Sequence, residues 1–306
     1  MGGELRISAD NDGRRVDRVL RTLWPQVPLG AIMKAVRTGE VRLNGRKTKA
    51  DARLEEGQLL YVPWEEAAGS ASRNGCDVHE GDISEKRPPL ETLYRDGYLW
   101  IVNKPAGLLT QPDVKGGDSL ITRALAELCW TRSDYRPATV QRLDRNTTGA
   151  VIIALTGAAQ RRLAELIREH KIRKLYHAVV EGIADESGRV DLPLLKDGPA
   201  NMVRPDKDGQ PALTLYRRIS VQGARSVVEA ELVTGRSHQA RVHLAAIGHP
   251  LVGDAKYGSG RGAKRPLLHA RTVIFPDDGE LPAVLRGAAV TAPLPADMKK
   301  YEGDAL

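Results

Sequence analysis

A carboxylate bracketed by guanidinium groups is the first feature of this chain that could do chemistry: Asp144 lies within Arg142-Leu143-Asp144-Arg145-Asn146-Thr147-Thr148-Gly149. Such a carboxylate can serve as nucleophile or general base, and a neighbouring cation keeps it ionised where burial would otherwise favour its protonated form. A second reading stands beside this one, because Asp, Asn, Thr and Gly together also make an ordinary solvated turn. The triplet Asn146-Thr147-Thr148 fits a glycosylation acceptor as well, which has meaning only in a secreted chain.

Two further stretches carry reactive side chains. In residues 173–182 the alternation places Tyr176 on one strand face with Ala178 and Val180, and Leu175 on the other. A strand tyrosine is commonly a core or cross-strand residue. The third stretch runs Thr234-Gly235-Arg236-Ser237-His238-Gln239-Ala240-Arg241-Val242-His243 and on to Gly248-His249-Pro250. It reads as the end of a strand, a helix from about Ser237 to Ile247, and a Gly and Pro stop. Arg236 falls at the strand-to-helix junction, where a side chain can point into a cleft. The histidines invite a metal reading, but separations of five and six residues do not stack on one helical face, and no Cys or Glu completes a set. No metal is expected.

The elements that would position these residues can be read around them. Val151-Ile152-Ile153-Ala154 reads as a buried strand, and Val140 suggests another leading into the loop, so Asp144 would sit on a turn at a sheet edge. A helix over 157–171 follows, with Leu163, Leu166 and Ile167 inward. Upstream, a hairpin turns at Arg95-Asp96-Gly97 into Tyr98–Val102, Asn103-Lys104-Pro105-Ala106-Gly107 breaks the strand, and Ser119 caps a helix carrying Leu120, Ala124, Leu125 and Leu128. Alternating segments at 213–219 and 227–233 make residues 90–306 an α+β unit, a largely antiparallel sheet with helices packed on it. Residues 65–89 are polar and small, without apolar period, and read as a flexible linker.

Residues 1–64 form a second, smaller α+β unit. One helix carries Val16, Val19, Leu20 and Leu23 and ends at Pro25; the next buries Leu29, Ile32, Met33 and Val36, leaves Lys34 and Arg37 outward, and stops at Gly39. Val41 and Leu43 alternate with Arg42 into Asn44-Gly45, a tight hairpin pair, with Arg46, Lys47, Lys49 and Arg53 behind it.

Composition sets the bounds. Across 306 residues, 46 Lys and Arg against 39 Asp and Glu give +7, a mild bias toward polyanions that leaves nucleic acid as one candidate partner. Two distant cysteines, Cys76 and Cys129, suggest neither a disulfide framework nor a zinc site and fit a reducing cytoplasm. The first residues hold no apolar signal core, and no stretch approaches the roughly 18 to 20 apolar residues of a membrane span, so a soluble cytoplasmic protein without membrane contact is expected.

Taken together, the motifs resemble the RluA-type family of RNA pseudouridine synthases. The matching stretches are Arg142–Gly149, Lys174-Leu175-Tyr176-His177-Ala178, Thr234-Gly235-Arg236-Ser237-His238-Gln239 with Gly253-Asp254-Ala255-Lys256-Tyr257-Gly258, and Leu267-Leu268-His269-Ala270. Gln141 stands where that family usually has His, and Thr148 where it has Ser. The segments Gly13–Asp17, Gly39–Gly45 and Leu54–Gln58 resemble the RNA-binding domain named after the fourth protein of the small ribosomal subunit. The resemblance implies isomerisation of uridine to pseudouridine in structured RNA, without a cofactor, by a monomer. Asp144 would be the catalytic carboxylate, Arg236 its ion-pair partner, and Tyr176 the residue that packs on the base and takes the C5 proton. Arg142 would hold the nucleotide open, and Arg173, Lys174, Lys34, Arg37, Arg42, Arg46 and Lys47 would contact RNA. Large-subunit ribosomal RNA is the expected substrate, with transfer RNA the alternative; a non-catalytic RNA-binding factor is disfavoured because the catalytic set is intact.

Overall fold

The structure is a computed structural model that describes residues 2–24, 26–64, 88–113, 117–130, 135–198 and 202–301. Pro25, Cys76 and all but the last two residues of the expected linker lie outside these.

The first unit is built as its sequence pattern requires, with one shift. Strands β1 (Gly3–Arg6), β2 (Arg42–Leu43), β3 (Arg46–Lys47) and β4 (Leu59–Val62) form a sheet in the order β1-β4-β2-β3, covered by helices α1 (Val16–Leu23) and α2 (Leu29–Thr38). Asn44 and Gly45 both have positive φ, 49° and 76°, the geometry of the two-residue hairpin. α1 buries the four residues expected of it. On α2 the buried face is Ile32, Ala35 and Val36, while Leu29 and Met33 are nearly half exposed. The inward stripe of that helix is narrower than its apolar content suggests: Ile32, Ala35 and Val36 reach the first unit's core, and Leu29 and Met33 do not.

The second unit is one long sheet. Its path is β10 (Ser187–Asp191), β13 (Leu213–Gln222), β14 (Arg225–Leu232), β9 (Arg173–Glu181), β15 (Leu268–Ile274), β8 (Thr148–Ala154), β6 (Leu99–Lys104) and β5 (Glu91–Arg95), with β7 (Ala138–Thr139) paired to β8 and β16 (Ala289–Thr291) to β15. A separate ribbon pairs β11 (Leu194–Asp197) with β12 (Met202–Pro205). Among the described pairings of the long sheet only β8 with β15 is parallel. Helices α3 (Leu120–Glu127) and α5 (Gln239–Ala246) pack on one face and α4 (Gly157–Arg168) on the other, and Met298 of α6 (Ala296–Lys299) joins a smaller cluster with Val179, Val227, Val252 and Leu267. β8 is therefore covered on both sides: Val151 and Ile153 enter one core, Ala150, Ile152 and Ala154 the other, which is why its sequence is an unbroken apolar run. Gly149 stands where β8 meets β15; its φ is 112°, and a Cβ there would come within 2.2 Å of the Ala270 carbonyl oxygen.

The two units touch at one defined place. Asp10 Oδ1 accepts the Gly157 N–H at 2.7 Å, at the start of α4, and Arg161 one turn later donates to the carbonyls of Ala9 and Asp12. A side chain at Gly157 would strike the Asp10 carbonyl, since its Cβ would lie 1.9 Å away.

Candidate active site

The loop before β8 is a turn, closed by the Thr147 N–H donating to the Asp144 carbonyl at 3.1 Å, and it holds the Asp144 side chain at a cleft of about 1200 Å³. That is larger than a typical small-molecule pocket of roughly 300 to 1,000 Å³. Three groups hold the loop from behind. Thr110 Oγ1 donates to the Leu143 carbonyl and accepts the Leu143 N–H, at 2.8 and 3.0 Å. Lys104, fully buried, donates to the carbonyls of Pro105, Leu108 and Arg145 at 2.7 to 2.9 Å. Burial pushes its amine down to about 7, against the pull of Asp144, with Arg265 adding to the depression. Arg265, paired with Asp297, donates to the Asn146 carbonyl at 3.1 Å.

The ion pair to Asp144 comes from Arg241, which corrects the expectation placed on Arg236. Arg241 Nη1 donates to Asp144 Oδ2 at 3.2 Å, while its Nε and Nη2 each donate to the fully buried Asp254 at 2.8 Å. Burial opposes the charge of this guanidinium, but Asp254 and Asp144 together outweigh it, and its proton is held more tightly than usual. Asp254 resists burial in the same way: Arg241 and the N–H groups of Lys256 and Tyr257 keep its carboxyl below the ordinary range. Arg236 also lines the cleft, but it is exposed and its Nε donates to the Pro211 carbonyl at 2.9 Å. The physical reason is position. Arg236 lies in the loop that Gln239 staples, through its Oε1, to the Arg236 N–H and the Thr234 hydroxyl, whereas Arg241 is inside α5 and backed by a buried partner.

Tyr176 on β9 lines the same cleft and is also part of the core. Burial and the charge of Asp144 both hold its phenol well above the usual range, so it is protonated at neutral pH. Lys174 lines the cleft wall and is buried, which lowers its amine. Arg142 is exposed at the cleft mouth. Arg173 lies outside the cleft lining: it projects from the same strand into a two-bond pair with Glu231, at 2.9 and 2.8 Å. Lys34, Arg37, Arg42, Arg46 and Lys47 are all exposed on the first unit.

The histidines of the third stretch go to separate places. His243 is buried between the Thr214 hydroxyl and the Leu192 carbonyl, and His249 bonds the Glu181 carbonyl. His238 sits beside Asp144, with Nε2 3.9 Å from Oδ1, and contacts Tyr257 through Nδ1 at 2.6 Å.

What the cleft resembles is decided by whole-chain similarity. A family model described as "RNA pseudouridylate synthase" matches residues 98–246, which include Asp144, Tyr176 and Arg241. The ribosomal large subunit pseudouridine synthase C of Vibrio cholerae is 33% identical over 306 residues, covering 96% of this chain and 94% of that protein. The chain belongs to the RNA pseudouridine synthase family. The synthase of the same name in Escherichia coli K12 is 32% identical over 311 residues, covering 96% and 93%. Among solved structures, human RNA pseudouridylate synthase domain containing 1 is similar at 25% identity and a TM-score of 0.55, covering 68% of this chain and 86% of that one. Human RNA pseudouridylate synthase domain containing 4 shares the fold, with a TM-score of 0.56 over 69% and 92%. The enzyme is thus an isomerase of RNA uridine, and its fold is the mixed α+β arrangement expected from sequence.

Sequence reading missed Lys104, Thr110, Arg265 and the role of Arg241. The first three act through backbone carbonyls of a loop distant in sequence, which no local spacing reveals. Arg241 was visible as the last residue of His238-Gln239-Ala240-Arg241, one and a half helical turns past the more conspicuous Gly235-Arg236 pair.

Proposed function

We propose that this synthase converts uridines of large-subunit ribosomal RNA to pseudouridine, with Asp144 as the reacting carboxylate. The observation that carries the reading is the Arg241 ion pair, which presents Asp144 to an open cleft floored by Tyr176. The reaction breaks the bond from ribose C1′ to N1 of uracil, turns the base, joins C1′ to C5, and moves the C5 proton away. Nothing is oxidised or lost. Asp144 can add to C1′ or take a proton at C2′, and on either route Arg241 holds its carboxylate in an ion pair. Tyr176 offers a flat ring to the base and a hydroxyl for the C5 proton. Because that phenol is protonated at rest, it accepts a proton only as it passes its own on.

A uridine stacked inside RNA cannot reach Asp144, so it must be extruded, at a cost of a few kcal/mol. Arg142 at the cleft mouth is placed to occupy the opened position. The exposed cations Lys34, Arg37, Arg42, Arg46 and Lys47 would supply phosphate contacts that offset the cost. The relatives named for the large ribosomal subunit favour that RNA over transfer RNA. The test is incubation of the purified protein with large-subunit ribosomal RNA and with total transfer RNA, followed by pseudouridine mapping. New pseudouridines in the ribosomal RNA are expected; modification of transfer RNA alone would contradict the substrate.

A further inference from the structure

One side chain at the cleft faces the reacting carboxylate without a role so far. His238 has a left-handed backbone, φ 54°, a conformation that costs energy in a residue other than glycine and is held only where surroundings enforce it. Its ring is clamped by Tyr257. The Tyr257 hydroxyl accepts the Val203 N–H at 3.0 Å and lies 2.6 Å from His238 Nδ1. With the Val203 N–H taking up acceptor capacity of the phenol, donation of its own proton to Nδ1 would leave the imidazole proton on Nε2. The other end of the ring agrees, because Nε2 faces Asp144 Oδ1 at 3.9 Å, and a lone pair there would point at a carboxylate. Burial keeps the ring neutral, with Arg241 and Lys256 reinforcing this against Asp144 and Asp254.

We propose that His238 is a positioning residue for the isomerisation: fixed by Tyr257 as the Nε2–H tautomer, it secures Oδ1 of Asp144 while Arg241 secures Oδ2. The two donors address the carboxylate's two oxygens separately, so the rotation of the carboxylate plane is set and one oxygen edge is presented to the ribose. The separation of 3.9 Å is about an ångström longer than a hydrogen bond, and it closes when the nucleotide displaces water; such bonds are commonly long before substrate enters. Tyr257 serves both donors, since its ring also lies under the Arg241 guanidinium at 5.0 Å. The proposal rests on Asp144 being the reacting group.

The test uses the full-length protein and large-subunit ribosomal RNA. His238→Asn accepts the left-handed backbone and can still meet the Tyr257 hydroxyl, but is too short to reach Asp144. Its single-turnover rate at saturating RNA should fall about tenfold or more, with RNA affinity within about twofold. Tyr257→Phe keeps the ring and loses the clamp; it should slow the parent, yet add little to His238→Asn. Nitrogen-15 spectra of the imidazole should show the neutral Nε2–H tautomer in the parent and a mixture in Tyr257→Phe, a change that a packing role would not cause. A parent-like rate in His238→Asn, full additivity of the two substitutions, or an Nδ1–H tautomer in the parent would each overturn the proposal. An active Asp144→Asn would overturn the assignment beneath it, so the two failures are distinguishable.

Discussion

Arg241 joins Asp144 to the protein's interior: its Nη1 donates to Asp144 Oδ2 at 3.2 Å, and the other side of the same guanidinium grips Asp254, which is fully buried. The planar fork makes this possible, since three of its nitrogens bond two carboxylates at once. Arg241→Lys should therefore recover little. Its single ammonium cannot serve both partners, and Arg241→Ala additionally leaves Asp254 buried and unpaired, at about 3 to 5 kcal/mol of stability. Single-turnover assays with thermal melts check this: both variants should lose on the order of a hundredfold in rate, whereas Arg236→Ala should keep its rate within a few-fold. A dead Arg236→Ala beside an active Arg241→Lys would reverse the assignment.

Tyr176→Phe preserves the ring on the cleft floor and removes the hydroxyl. RNA binding should stay within a few-fold while the chemical step slows by about a hundredfold or more, the size typical of losing a general acid–base group. Turnover equal to the parent would place the C5 proton acceptor elsewhere.

His269 on β15 predicts how the fold responds to acid. It is buried, bonded through Nδ1 to the Thr148 hydroxyl at the root of the catalytic loop, and burial drives its pKa down to about 4. The ordinary value is 6.5. Between pH 6.5 and about 4 the unfolded chain binds a proton that the folded one refuses, so stability rises with pH in that window. The contribution is complete above 6.5 and lost as pH falls toward 4, up to about 3 kcal/mol from a shift of this size. Denaturant titrations at pH 7 and pH 4.5 should show a smaller drop for His269→Asn than for the parent; equal drops would mean His269 does not set the acid limit.

The contact between units has its own test. Gly157→Ala places a methyl group on the Asp10 carbonyl, and Asp10→Ala leaves the first N–H of α4 without its acceptor, a change that costs about 1 kcal/mol at a helix start. Both should accelerate amide exchange at the start of α4 and leave the hairpin at Asn44-Gly45 untouched. Unchanged exchange in both variants would show that the two units do not hold each other there.

How much of this was legible depended on how local the cause was. Asn44-Gly45, the Ser119 cap and the β8 run were readable because a few adjacent residues determine them, and the structure shows the Ser119 hydroxyl accepting the Thr122 N–H with the reciprocal bond present. Asp144 was legible too as a candidate, and its side chain lines the cleft. Its ion-pair partner was not: Arg236 and Arg241 lie in one stretch and both line the cleft, and only the course of α5 and the buried Asp254 behind it decide which guanidinium reaches Asp144. Lys174 and Arg173 are adjacent in sequence, and strand alternation sends Lys174 into the cleft wall and Arg173 to Glu231. Met33 misled in the opposite sense, being apolar at helical spacing but beyond the edge of the small core.

On the proposed function, Asp144 performs the chemistry in this cleft. Asp144→Asn keeps the side chain's size and still meets a hydrogen bond from Arg241, but an amide cannot act as nucleophile or base at this step. The measurement is single-turnover pseudouridine formation in large-subunit ribosomal RNA by Asp144→Asn, at a concentration where filter binding shows the RNA saturated. Binding within a few-fold of the parent and no pseudouridine above background are expected. Pseudouridine formed at a rate approaching the parent's would contradict it.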